Sequence, residues 1–233
     1  MGMPISLLAR GESALEQNEA AQRVFAELRD VDVRFSLYQA DSELSRLSRG
    51  ELSLAQCHPD VREVKDLCDL AAERTGGLFD PRTPAGTWDP SGLVKGWAAE
   101  RAIRHLAGTG PDWCLSAGGD VVIVSPSGEP FGIGIGDPRD PSAVVTVLST
   151  TQCVATSGTA ARGEHLYDPR TGVPVRGSWL SVSITGPSLQ EADILATAAF
   201  VAGPDWESLL LPGYAGLAVD REGGLHATGG WPL

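Results

Sequence analysis

The sequence predicts an α+β protein, with mostly antiparallel sheets and helices packed on them. Three observations carry this. Apolar residues recur at three-four spacing in a few separated segments, as amphipathic helices require. Between and after them lie short extended runs punctuated by Gly and Pro turns. Over 233 residues, 42% are hydrophobic and 21% charged, the balance of an ordinary globular protein rather than a disordered or fibrous one.

Taken in order, "MPISLLA" (Met3–Ala9) reads as a first strand. Glu12 to Arg29 reads as an amphipathic helix with Ala21, Val24, Phe25 and Leu28 on one stripe. "VRFSLY" (Val33–Tyr38) reads as a short extended or loop-like piece, followed by the polar turn "QADSE". A second helix runs from about Pro59 to Arg74, where Val61, Val64, Leu67, Cys68 and Ala71 keep the period, and Gly76-Gly77 stops it. A third begins near Ser91–Leu93 and continues to Leu106. Strands follow in "WCLSAGGDVVIVS", "FGIGIG", "VVTVLS" and "WLSVSITG", with a loop-rich stretch from Val154 to Val175 before the last. Ser188 opens a fourth helix, Pro204–Leu211 gives a short fifth, and "GLAVDREGGLHAT" closes as a hairpin. Residues 1–233 are expected to form one domain, or two intimate lobes.

Charge bounds the partners. A formal net charge of −12 is repelled by nucleic-acid backbones and anionic membranes. An anionic ligand would need local donors or a metal. Lys65 and Lys95 are the only lysines. The four cysteines, Cys57, Cys68, Cys114 and Cys153, show neither a CxxC nor a metal-ligand spacing, and read as buried free thiols. No basic-then-apolar leader and no membrane-length apolar run is present, so the expectation is a cytoplasmic protein.

One residue stands out. In "SLQEADILATAAF" (Ser188–Phe200), Asp193 lies in an apolar run with no further charge until Asp205. Ser188 and Glu191 form an S-x-x-E capping box, which fixes the register. Asp193 and Thr197 are four apart and face the same way. Two oxygen ligands on adjacent turns suit a hard cation such as Mg²⁺. The plainer reading is an Asp193–arginine pair or loop cap, with Thr197 bonded back to a carbonyl.

"WDPSGLVKGWAAERA" (Trp88–Ala102) places Asp89 in a turn before a helix and Ser91-Gly92 at its start. The free N–H groups of a helix N-terminus bind phosphate, and Lys95 one turn in adds positive charge; the plainer reading is a capped helix with a solvated lysine. Gly118-Gly119 inside "CLSAGGDVVIV" marks a bulge, a close backbone approach or a tight hairpin. "DPRTG" is strong turn chemistry beside His165, a lone histidine with no zinc pattern around it.

In order, "MGMPISL", "FSLYQADSELSRLS", "GGLFDP", "DPSGLVKGWAAERA", "SAGGDV", "IGIGDP", "ATSG", "HLYDPRTGVPV" and "EADILATAAFVAG" resemble the FAD:protein FMN transferases of the ApbE family, over nearly the whole chain. The resemblance implies FAD as substrate, Mg²⁺, and transfer of FMN to a Thr or Ser hydroxyl of an acceptor flavoprotein with release of AMP. It implies Asp193 and Thr197 as side-chain Mg²⁺ ligands, with the carbonyls of Gly92 and Ala196. It implies flavin contacts from Met1, Tyr38, Leu78, Phe79, Asp80, Asp89, Lys95 and the His165–Tyr167 segment. Asp193, Lys95 and His165 are the expected catalytic groups, while the sequence does not choose between His165 and Asp89 as general base.

Three departures bear on the acceptor and the flavin. Ser116 stands where the family has Asn, the Gly158–His165 stretch is short and lacks aromatics, and "FDPRTPAG" replaces the usual Asp-x-Thr-x-Gly-Pro run. Two alternatives stay open: a Mg²⁺-dependent FAD pyrophosphatase giving FMN and AMP, and a non-catalytic flavin-binding protein.

Overall fold

The computed structural model describes residues 2–11, 15–83, 86–159, 167–175, 177–228 and 230–231. The chain folds as β1 (Ile5–Arg10), α1 (Leu15–Phe35), α2 (Glu43–Ser48), α3 (Pro59–Arg74), α4 (Ser91–Ile103), β2 (Asp112–Ala117), β3 (Asp120–Val124), β4 (Phe131–Asp137) and β5 (Asp140–Thr150). There follow β6 (Cys153–Gly158), β7 (Tyr167–Asp168), β8 (Val173–Pro174), β9 (Trp179–Gly186), α5 (Leu189–Ala202), β10 (Ala215–Asp220) and β11 (Leu225–Ala227). The expected α+β class with antiparallel pairing is what forms. Seven strands pair in the order β1-β2-β3-β6-β9-β10-β11, each antiparallel to its neighbours.

The two faces of this sheet are covered differently. Leu115, Val122, Ala155, Val182 and Ile184 point to the helices and join a core with α1, α3, α4 and α5. Val121, Ile123, Val154 and Leu217 point the other way, against Phe131, Ile135 and Leu148 of the β4–β5 hairpin. The alternation follows from the period-two geometry of a strand.

Helix α5 is apolar nearly all round because it is enclosed, with ten of its residues buried. Ser188 caps it by accepting the Glu191 N–H at 3.2 Å. The capping box closes only halfway, since the Glu191 carboxylate reaches Arg74 of α3 at 2.6 Å. Glu100 of α4 accepts the Leu189 N–H, adding a second cap. Truncating a buried residue here, such as Leu195 to Ala, costs about 2–5 kcal/mol.

Helix α3 has the bounds its periodicity predicts, ending before Gly76 and Gly77 at φ 61° and 79°. Other expectations are corrected. The first helix does not stop at Arg29 but runs through Phe35, so half of "VRFSLY" is helical; Val24, Leu28, Val31 and Phe35 continue one buried stripe. The polar turn after Tyr38 leads into α2, capped by Ser42 accepting the Ser45 N–H at 3.0 Å. The third helix tightens to a 3₁₀ turn over Arg104–Leu106. In the loop-rich stretch, Cys153–Gly158 is a strand inside the large sheet. The short fifth helix expected over Pro204–Leu211 is 3₁₀ over Gly203–Leu209. No helix among the described residues is long and apolar enough to cross a membrane.

Candidate functional site

Glycine-permitted contact brings α4 and α5 together. A Cβ on Gly96 would come within 2.8 Å of the Gln190 Cα, so only glycine allows this approach. The residue before it, Lys95, is thereby delivered to Asp193: its Nζ lies 3.5 Å from Asp193 Oδ1. A third charge meets them. The β2–β3 turn, with Gly118 and Gly119 at φ 63° and 100°, presents Asp120, whose Oδ2 lies 2.5 Å from the same Nζ. Asp120 and Asp193 are each 1% exposed.

The environment of these groups is set by burial and mutual charge. Burial pushes Asp193 up to about 7, with Lys95 opposing and Asp120 adding to the rise. Burial likewise raises Asp120 against the pull of Lys95. For Lys95, burial alone would lower the pKa, but the charges of Asp193 and Asp120 overcome it and hold the ammonium above its ordinary range. Lys95 is therefore not the solvated lysine of the plainer reading. Among the described residues Asp193 Oδ2 is buried with no hydrogen-bond partner.

One turn on from Asp193, the Thr197 hydroxyl shares a 3.0 Å hydrogen bond with the Ser157 hydroxyl of β6. Asp120 is tied to the same strand, Thr156 N–H donating to its Oδ1 at 3.0 Å. Ala196 is fully buried in mid-helix. The donor set is one carboxylate with a free oxygen and a neighbouring hydroxyl, all hard oxygen, and among the described residues no group of three or more His, Cys, Asp or Glu gathers as a softer or multi-carboxylate site would need. Such a set fits Mg²⁺, which takes one or two carboxylates and fills its shell with water and phosphate.

A second cluster lies at the start of α4. Asp89 accepts the Ser91 N–H at 2.9 Å, and its own N–H donates to the Pro81 carbonyl at 2.7 Å, closing the loop from Asp80. The Phe79 ring is 4% exposed and lies against Gly92, where an added Cβ would meet it at 3.3 Å. Asp80 pairs with Arg82 at 2.6 Å, which holds its carboxyl low. The Tyr167 hydroxyl donates to the Arg82 carbonyl at 3.3 Å; burial raises its pKa, and the charges of Asp89 and Asp80 add to the effect. A cleft of about 360 Å³ beside this cluster is lined by Lys65, Asp69, Glu73, Asp80, Arg82 and Trp88. Because Gly92 and Lys95 share one helix turn, the two clusters adjoin.

The structure thus brings together Lys95, Asp193 and Thr197, and beside them Phe79, Asp80, Asp89, Gly92 and Tyr167. Leu78 is partly buried against the same core. Tyr38 is 88% exposed on the loop after α1. Met1 and His165 lie outside the described residues. Sequence reasoning missed Asp120 and Ser157 as members of the site. The signal for Asp120 was present: a carboxylate opening the apolar run "VVIV", the same anomaly that marks Asp193.

Comparison with known proteins gives a consistent picture. The family model described as the ApbE family matches residues 1–87 and 82–215. A Rhodobacter capsulatus protein named FAD:protein FMN transferase is 32% identical over 168 residues, covering 66% of this chain and 32% of its own. A Treponema pallidum protein of the same name is 30% identical over 168 residues, covering 61% and 46%. The chain therefore spans less than half the length of these curated relatives. Among solved structures, an ApbE protein from Thermotoga maritima superposes with TM-score 0.81 at 22% identity, covering 97% of both chains. The apo flavinyl transferase ApbE of Pseudomonas stutzeri gives 0.76 at 22% identity, over 97% of this chain and 94% of that one.

Proposed function

As the chain belongs to the ApbE family, we propose that it is an FAD:protein FMN transferase, which moves the FMN half of FAD onto a Thr or Ser hydroxyl of an acceptor protein and releases AMP. The names of its curated relatives support this reading. The observation that carries it is the buried, unpartnered Oδ2 of Asp193 one turn from the Thr197 hydroxyl. An unsatisfied carboxylate oxygen in a core is costly, and a cation removes the cost.

In this reading Asp193 and Thr197, with the carbonyls of Gly92 and Ala196, are the groups that would hold Mg²⁺, and the ion when bound supplies the positive charge a pyrophosphate needs. The acceptor oxygen attacks the phosphorus of the FMN half, the bond from that phosphorus to the bridging oxygen breaks, and AMP leaves with that oxygen. Lys95, fixed and protonated, sets a second positive charge beside the developing negative charge. The N-terminus of α4, aimed by the Asp89 cap, adds N–H donors. Tyr38, Leu78, Phe79, Asp80, Tyr167 and Met1 complete the proposed flavin contacts, and His165 or Asp89 takes the hydroxyl proton. Catalysis is then positioning plus electrostatics.

Mixing the protein with FAD, Mg²⁺ and a Thr- or Ser-containing acceptor peptide tests it. A peptide carrying FMN by mass spectrometry, with stoichiometric AMP, is the expected result. FMN and AMP formed without acceptor would make the protein a pyrophosphatase instead, and bound FAD with no turnover would make it a flavin carrier.

A further inference from the structure

We propose that Asp120 is a positioning residue that draws the Lys95 ammonium to itself and so leaves the Asp193 carboxylate open to a divalent cation. The inference rests on the cation reading of the site given above. Lys95 has two acidic neighbours and divides itself unequally between them, 2.5 Å from Asp120 and 3.5 Å from Asp193. The nearer carboxylate is ion-paired through its Oδ2, whereas Asp193 Oδ2 has neither a hydrogen bond nor an ion pair among the described residues.

Asp120 is anchored for this task from two directions. It follows the Gly118-Gly119 turn, and its Oδ1 receives the Thr156 N–H from the adjacent strand. Its other oxygen is left for the lysine. Charge counting gives the consequence. With both carboxylates ionised and one ammonium the site carries a net −1 and attracts a cation. Without the Asp120 charge the sum is zero, and Asp193 becomes the only acidic partner these contacts leave to Lys95. The ammonium would then close on Asp193 and occupy the place a metal needs. Groups that orient or free a metal ligand typically change affinity by roughly 10- to 100-fold.

Asp120→Asn is the informative substitution, because an amide oxygen still accepts the Thr156 N–H while the charge is gone. Mn²⁺, a paramagnetic substitute for Mg²⁺, is titrated into the flavin-free full chain and followed by electron paramagnetic resonance. The expected result is a Kd raised roughly 10- to 100-fold in D120N, with most of the loss recovered in the K95M/D120N double variant, where no ammonium is left to fall onto Asp193. A purely structural role for Asp120 predicts no such recovery. Thermal melts of both variants report whether each is folded, and if D120N does not fold, K95M alone takes its place and should bind Mn²⁺ at least as tightly as wild type. Wild type binding Mn²⁺ with D120N unchanged, or a double variant as weak as D120N, overturns this inference alone. Wild type binding no Mn²⁺ overturns the cation reading and this inference with it.

Discussion

Gly96 of α4 lies so close to Gln190 at the start of α5 that a Cβ would stand 2.8 Å from the Gln190 Cα and 3.0 Å from its nitrogen. The obstacle is backbone, which cannot rotate away. Gly96→Ala should therefore push the two helices apart, at about 1–3 kcal/mol of overpacking. Because Lys95 is the adjacent residue, the same shift moves its ammonium relative to Asp193. A displacement near 1 Å at a reacting centre costs about 10²-fold in rate. A melting curve together with FMN-transfer assays at a temperature where the variant is folded would check both halves. An unchanged rate in a folded variant would show that the helix spacing does not set the site.

Asp193 is expected to behave as a functional residue that stability does not need. Its carboxyl is pushed up to about 7 by burial, so the charged form is held at a cost. Lys95 keeps Asp120 as its nearer partner when Asp193 is neutralised. Asp193→Asn should then leave stability within about 1 kcal/mol of wild type, or raise it, in contrast to the loss seen when a buried charge is stranded. FMN transfer should fall by about 10²–10³-fold, the range for deleting one preorganised electrostatic group. Urea denaturation and a transfer assay on the same preparation decide the matter; a large stability loss with activity retained would assign Asp193 to the scaffold.

How much of this was legible in the sequence depended on whether a signal was local. The Ser188 cap, the α3 bounds and the shared face of Asp193 and Thr197 all follow from spacing within one helix, and the structure forms them. Phe35 reads as extended because, next to Val33, its aromatic side chain favours strands in isolation, whereas here it extends the buried helical stripe of Val24, Leu28 and Val31. Val154–Gly158 reads as loop because Ser157-Gly158 and the small and polar residues after them look like turn chemistry, although Val154 and Thr156 favour strands. It forms a strand because β3 and β9 flank it. The Lys95–Asp120 pair was invisible for a different reason: it joins a helix to a turn, and only the fold makes them neighbours.

The thiols offer a simple check on the packing. All four cysteines are free, and burial pushes Cys68 and Cys153 up to about 12 and raises Cys57 and Cys114 as well. Thiolate is the reactive form, so at about pH 8 these groups are protonated and shielded. Ellman's reagent should label native protein slowly, with Cys114, which is only partly buried, reacting before Cys68 and Cys153. In denaturant without reductant all four should label at once. Fewer than four would reveal a disulfide that the structure does not contain.

Acid stability should depend on Asp112, remote from the site. Its carboxylate accepts the Ser127 hydroxyl at 2.6 Å and N–H at 3.1 Å, and Arg10 at 2.7 Å. The Ser127 hydroxyl bond, then Arg10, hold its carboxyl well below the usual carboxylate range. The folded protein therefore releases this proton more readily than the unfolded chain, and where the unfolded chain binds more protons, stability rises with pH. The contribution is complete above the ordinary aspartate pKa of about 3.9 and fades as pH falls from there toward the depressed folded value. Asp112→Asn should accordingly lower the urea midpoint at neutral pH, while its midpoint falls less than that of wild type on acidification, so that the two curves converge. Parallel curves across that range would mean that the carboxylate is no better held in the folded protein than in the unfolded one.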